Sequence, residues 1–185
     1  MPITPRLPIA LCATLLISAL STQAEERRQV ASHEHGVTAA NIAIDGSELL
    51  IELESPAMNI VGFEHSPGDK DQQATINEAI YELRNGAQLF GFPVGAGCTL
   101  DSSDAAYISD STDAHEDHSE HEPSHSGFFA EYTFECTDPG EIDEIRMKVF
   151  TKFPLTTVVE ASFVSDRIQT YRELTADSPI LLVKP

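Results

Sequence analysis

Residues 37–54 read VTAANIAIDGSELLIELE, and this stretch decides the class of fold. Residues 37–44 and 48–54 are rich in strand-forming residues, and Asp45-Gly46 between them is a typical hairpin turn. Apolar side chains alternate with more polar ones in the second run, which predicts one buried face formed by Leu49, Ile51 and Leu53. The chain therefore begins its folded part with an antiparallel hairpin.

The remaining pattern predicts several short strands and one substantial helix. Between Asp69 and Asn85 apolar residues recur at spacings of three and four, with Asp69 as N-cap and Gly86 as the residue after the last turn. Strand-like runs cover 127–137, 142–150, 156–164 and 167–174, although the period of 142–150 is ambiguous. The predicted fold class is α+β with a mainly antiparallel sheet.

Residues 101–126 differ in composition from the rest of the chain. They hold eight acids and four histidines but no lysine or arginine. Such a segment lacks the apolar residues needed for a core, so it predicts a long, disordered His/Asp/Glu-rich loop. A loop of this length inside a compact domain is usually functional or disordered.

The first 24 residues resemble an export signal. Arg6 precedes the apolar run 7–20, and the small residues Thr22 and Ala24 precede an expected cleavage site. The run is too short for an ordinary transmembrane helix, which makes an uncleaved anchor the less favoured alternative. We expect residues 25–185 to form a single exported domain with no membrane insertion.

Two cysteines, Cys98 and Cys136, remain after removal of the signal. Exported chains meet an oxidising environment, so a Cys98–Cys136 disulfide is expected, with two free thiols as the alternative. The bridge would flank the 101–126 loop and hold it near the folded body. It would also leave histidine and carboxylate groups as the available metal ligands.

The charge restricts the partners. The chain has 30 acids and 11 lysines and arginines, a formal charge of −19. This charge excludes a nucleic-acid binder, which needs a basic face, and disfavours binding to anionic membranes. It favours cations or basic surfaces as partners.

All seven histidines lie between positions 33 and 125, in three groups rich in acids. Imidazole binds zinc, copper, nickel and iron, and neighbouring carboxylates can complete a site or orient the rings. The candidate metal ligands are His33, His35, Glu64, His65, His115, His118, His121 and His125. Alternatives without metal are a frayed N-terminal tail, an ordinary surface histidine at position 65 and a solvated polar loop.

The sharpest hypothesis for a defined site combines His33, His35 and His65. In an extended segment His33 and His35 point to the same side, and Gly36 lets the backbone turn. Water, Glu64 or a loop histidine would complete the shell. The loop itself could capture ions loosely and deliver them to this site.

Several motifs resemble those of the ZrgA-type periplasmic zinc-binding proteins. They are His33-Glu34-His35-Gly36, the segment SPAMNIVGFEH at 55–65, Cys98, YTFEC at 132–136 and VFTKFP at 149–154. The resemblance covers essentially the whole chain after the signal, and the 55–65 segment is its most specific part. It implies a soluble periplasmic protein that assists zinc uptake, working near a zinc transport system.

Together these observations predict a zinc-binding protein that is not an enzyme. Zinc as the bound ion depends mostly on the resemblance, because nitrogen sites favour Cu²⁺ over Zn²⁺. Protons compete for imidazole, so affinity should fall below about pH 6.5. The alternatives are a zinc-dependent hydrolase with Glu64 as general base, which lacks an HExxH motif, and a metal-independent acidic interaction module.

Overall fold

A computed structural model describes residues 34–109 and 126–183. Its helices are α1 (Ala57–Val61), α2 (Lys70–Leu83), α3 (Gly86–Leu89) and α4 (Val149–Lys152), with 3₁₀ turns at Val94–Ala96 and Pro139–Glu141. Its strands are β1 (Val37–Asp45), β2 (Glu48–Pro56), β3 (Phe90–Gly91), β4 (Cys98–Ser109), β5 (Ser126–Cys136), β6 (Glu144–Met147), β7 (Val158–Val164), β8 (Gln169–Thr175) and β9 (Ile180–Leu182).

Six strands form the main sheet in the order β4-β5-β2-β1-β7-β8. Every neighbouring pair is antiparallel except β1 and β7, which run parallel. The strands β3, β6 and β9 form a second, antiparallel sheet. The architecture is thus a mostly antiparallel, mixed sheet with few helices, and the predicted fold class is confirmed at this level.

The opening hairpin forms as predicted. Asp45 pairs with Glu48, and Gly46 between them adopts a φ of 61°, a conformation that glycine reaches without strain. The alternating apolar side chains of β2 are buried, each at most 2% exposed: Leu49, Ile51 and Leu53. This face of the sheet forms one side of the core.

The helix α2 packs on the same side of the sheet, against β4 and the β5 residue Tyr132. Asp69 is its N-cap, since the carboxylate accepts a 2.8 Å hydrogen bond from the backbone N–H of Gln72. The residues of α2 buried against the sheet are Ile76, Ala79 and Leu83. Among the described residues α2 is the only helix longer than five residues. No helix there is long and apolar enough to cross a membrane.

Tyr132 joins the helix to both sheets. Its hydroxyl donates a 2.7 Å hydrogen bond to the carbonyl of Leu83, and its ring packs edge-on against Phe90 of the second sheet. A Cβ added at Gly86 would collide with the Tyr132 ring. The predicted role of Gly86 after the last helical turn is therefore wrong: Arg84 is the C-cap, and Gly86 begins α3 where the ring needs the space.

Two predicted boundaries need correction. Residues 101–109, assigned to the loop 101–126, belong to β4, and Ser126 begins β5. The part of the predicted loop from 110 to 125 lies outside the described residues. In the run 142–150 only Glu144–Met147 is a strand, because the chain turns into α4 at Val149.

Candidate metal centre

Of the candidate metal ligands that the structure describes, His35 and Glu64 are in direct contact. His35 Nε2 lies 3.0 Å from Glu64 Oε2, and the side chains are 60% and 19% exposed. A carboxylate oxygen can only accept from the ring, so Nε2 carries the proton and the neutral imidazole has its lone pair on Nδ1. A carboxylate in this position orients a metal-binding histidine and makes it more basic.

Glu64 is held in place by its backbone. Its carbonyl oxygen accepts a 2.6 Å hydrogen bond from the hydroxyl of Ser126, which is fully buried. The second carboxylate oxygen, Oε1, is buried and has no hydrogen-bond partner among the described residues. A buried carboxylate oxygen without a donor is costly, and a cation would satisfy it.

His65 follows Glu64 and is oriented differently. Its ring stacks on Phe63 with 5.1 Å between centroids, and Nδ1 lies 2.9 Å from the carbonyl oxygen of Ser66. Since the carbonyl accepts, Nδ1 is the donor and the lone pair of the neutral ring is on Nε2. Both described histidines thus offer one defined nitrogen to a metal.

The other predicted ligands lie outside the described residues: His33, His115, His118, His121 and His125. Within 34–109 and 126–183, no three His, Cys, Asp or Glu side chains come together as a group that could hold a metal. The pair His35–Glu64 fits an imidazole-and-carboxylate zinc site by its chemistry, but it would need ligands from elsewhere to fill the four positions that zinc usually takes.

The topology brings the ends of the 110–125 segment to this pair. Ser109 and Ser126, on either side of the segment, are opposite each other in the β4–β5 ladder. The hydroxyl of Ser126 in turn contacts Glu64. The acidic, histidine-rich segment therefore leaves and rejoins the sheet beside the His35–Glu64 pair.

The predicted disulfide is present, but at a different place relative to this segment. Cys98 and Cys136 are cross-strand partners in the same ladder. They lie at the first residue of the 12-residue β4 and the last of β5, whereas the 110–125 segment joins the opposite ends. The sequence suggested that the bridge holds the base of the segment. Instead, the bridge joins the far end of the β4–β5 hairpin.

An imidazole and a carboxylate in contact are a combination of ligand types that divalent metal ions bind. The chain belongs to the ZrgA family of zinc uptake proteins, whose family model matches residues 32–183. The family is one of zinc uptake and not of known enzymes. A comparison with curated proteins found no match.

The sequence did not single out two residues that shape the site. Ser126 is the first residue after the predicted loop, and a lone serine in that position gives no signal. Asn59 is the one polar side chain among the apolar residues of the short helix α1, and this isolation within the 55–65 motif was the available clue.

Proposed function

We propose that the chain is an exported, periplasmic protein that captures Zn²⁺ and assists its uptake by a zinc transport system. Residues 1–24 would be removed as a signal, and 25–185 would act as one metal-binding domain. In this proposal histidines 115, 118, 121 and 125 collect the ion, and a tighter site on the folded body uses His35 and Glu64, with His33 or a histidine of the 110–125 segment completing the shell.

The observation that carries this proposal is the contact between Ser126 and Glu64. It joins the end of the histidine-rich segment to the acid that pairs with His35. An ion held by the segment is thereby tethered near His35, and tethering of this kind raises its effective concentration at a second site. Glu64 can act in two ways, as acceptor for the His35 Nε2 proton or as a zinc ligand through Oε1.

The outer face of the main sheet adds negative charge. Three pairs of glutamates are direct cross-strand neighbours: Glu48 with Glu135, Glu52 with Glu131 and Glu160 with Glu173. Like charges directly opposite each other destabilise a sheet. A concentration of carboxylates raises the local concentration of divalent cations, which supports capture from dilute solution.

Calorimetric zinc titration of the chain from residue 25 onward, at neutral pH, tests the proposal. We expect one tight event and weaker ones. Deleting 110–125 should remove the weaker binding events. His35→Ala should lower the affinity of the tight event by more than the ~10–100-fold that is typical when a residue that only orients a metal ligand is lost. Glu78→Gln, which removes an exposed carboxylate on α2 away from the acidic face of the sheet, is the control and should change neither.

Two results would contradict the proposal. A flat titration of the unaltered chain would show that zinc is not bound. Equal traces for the unaltered chain and for the deletion and His35→Ala variants would place the zinc elsewhere. Growth under chelator-imposed zinc limitation then tests the role in uptake: cells carrying the deletion should grow more slowly than cells carrying Glu78→Gln.

A further inference from the structure

The side chain of Asn59 holds the backbone next to His35. Asn59 is 1% exposed, and its Oδ1 accepts a 2.7 Å hydrogen bond from the N–H of Gly36. Its Nδ2 donates a 2.8 Å bond to the carbonyl of Val37. One amide side chain thus fixes both sides of the turn that leads from His35 into β1.

Gly36 is restrained from its other side as well. Its carbonyl accepts hydrogen bonds from the backbone N–H groups of Thr157 and Val158, at 2.8 and 3.0 Å. Its φ of 88° favours glycine, and a Cβ would lie 2.6 Å from Thr157 Oγ1. The two peptide groups of Gly36, which lead from His35 into β1, are therefore both held, by Asn59 at the nitrogen and by Thr157 and Val158 at the carbonyl oxygen.

The short bonds of Asn59 distinguish it from the polar residues around it. Its contacts with the hydroxyls of Thr38 and Ser55 are long, 3.5 and 3.4 Å. Thr38 and Ser55 bond to each other at 2.8 Å, and the hydrogen bonds of Ser55 go to residues other than Gly36 and His35. The network as a whole satisfies buried polar groups, whereas the strongest bonds of Asn59 go to the backbone beside His35.

We propose that Asn59 is a positioning residue for zinc capture, which acts by fixing the Gly36 peptide so that His35 meets Glu64. This inference rests on the proposed function, in which His35 binds zinc. Asn59 and Glu64 belong to the same 55–65 segment, and α1 is followed by its C-cap Gly62, whose φ of 82° turns the chain toward Glu64. One segment thus supplies both the acid that pairs with His35 and the amide that holds the backbone beside it.

The test compares Asn59→Leu with Ser55→Ala, a matched control in the same segment and equally buried. Both should lower the thermal midpoint, since both remove buried hydrogen bonds. Only Asn59→Leu should speed hydrogen exchange of the Gly36 amide in the zinc-free protein. Only Asn59→Leu should weaken the tight zinc event, by ~10–100-fold.

His35→Ala, measured in parallel, separates the two proposals. If His35→Ala leaves zinc affinity unchanged, the proposed function fails. If His35→Ala weakens binding while Asn59→Leu speeds Gly36 exchange without weakening it, the positioning role is overturned and the proposed function stands. If the leucine variant does not fold, Asn59→Ser replaces it with the same two measurements, because its hydroxyl can join those of Thr38 and Ser55.

Discussion

The disulfide should stabilise the fold without contributing to zinc binding. The perturbation is the double variant Cys98→Ala/Cys136→Ala. Alanine is chosen because Cys136 is 1% exposed and a serine hydroxyl there would lack a partner. The variant removes the covalent link at one end of the β4–β5 hairpin and leaves the hydrogen bonds of the ladder in place.

The two expected effects follow from sequence separation and distance. The cysteines are 38 residues apart, and the chain-entropy model gives about 4 kcal/mol for a loop of that length, a model-dependent value. At about 3.3 Å per residue, the 12-residue β4 places the bridge about 35 Å from Ser109. The free-energy effects of two changes this far apart usually add to within ~0.5 kcal/mol, so removing the bridge should change the zinc affinity less than threefold.

Urea unfolding measures the first effect, and zinc titration below the unfolding transition measures the second. Wild-type protein with the disulfide reduced serves as a control for the two substitutions. A loss of unfolding free energy under 1 kcal/mol would refute the stabilising role. A tenfold weaker zinc affinity in a variant that is still folded would show that the bridge shapes the metal centre after all.

Three further variants test the core and the helix. Tyr132→Phe should cost ~1–2 kcal/mol by leaving the Leu83 carbonyl without its partner. Burial raises the pKa of Tyr132, so above pH 10 the unfolded chain loses this proton before the folded protein does, and the stability of the wild type should fall there by up to ~1.4 kcal/mol per pH unit, more steeply than that of Tyr132→Phe. Urea midpoints at pH 9 and 11 measure this fall, with the exposed Tyr81→Phe as control. An equal loss of stability with pH in the wild type and in Tyr132→Phe would contradict the prediction. Gly86→Ala should cost ~1–3 kcal/mol in thermal unfolding through overlap with the Tyr132 ring, and a neutral result would show that the ring can move aside. Asp69→Ala should cost ~1 kcal/mol through the lost cap, measured by urea unfolding, whereas an unchanged midpoint would mean that the cap contributes little.

Elements with a clear period could be predicted from the sequence. The alternation of Leu49, Ile51 and Leu53 fixed the buried face of β2, and Asp45-Gly46 fixed its register with β1. The strands predicted at 156–164 and 167–174 correspond to β7 and β8, which pair with each other. These are local patterns, in which the residues that decide the structure are close in sequence.

The strand β4 could not be predicted, because its own residues do not indicate it. Asp101–Ser109 is rich in acid and serine, residues that are depleted in strands. The segment is a strand because it forms the edge of the sheet and pairs with the buried β5. The parallel pairing of β1 with β7 likewise depends on contacts between residues more than a hundred positions apart.

The candidate site was predictable in part. His35 and Glu64 were both proposed as ligands, and the structure brings them into contact. Their connection to the histidine-rich segment passes through Ser126, which is 62 residues from Glu64 in the chain. No composition or spacing rule reveals a hydrogen bond of that kind, because it results from the pairing of β2 with β5.

The most direct test of zinc capture at His35 and Glu64 is an anomalous difference map, measured at the zinc edge from crystals with one equivalent of zinc. The proposal predicts a peak within ~2.0–2.1 Å of an imidazole nitrogen of His35, with Glu64 as a ligand or as the acceptor of the ring proton. A single strong peak remote from both His35 and Glu64, with their contact unchanged, would contradict it.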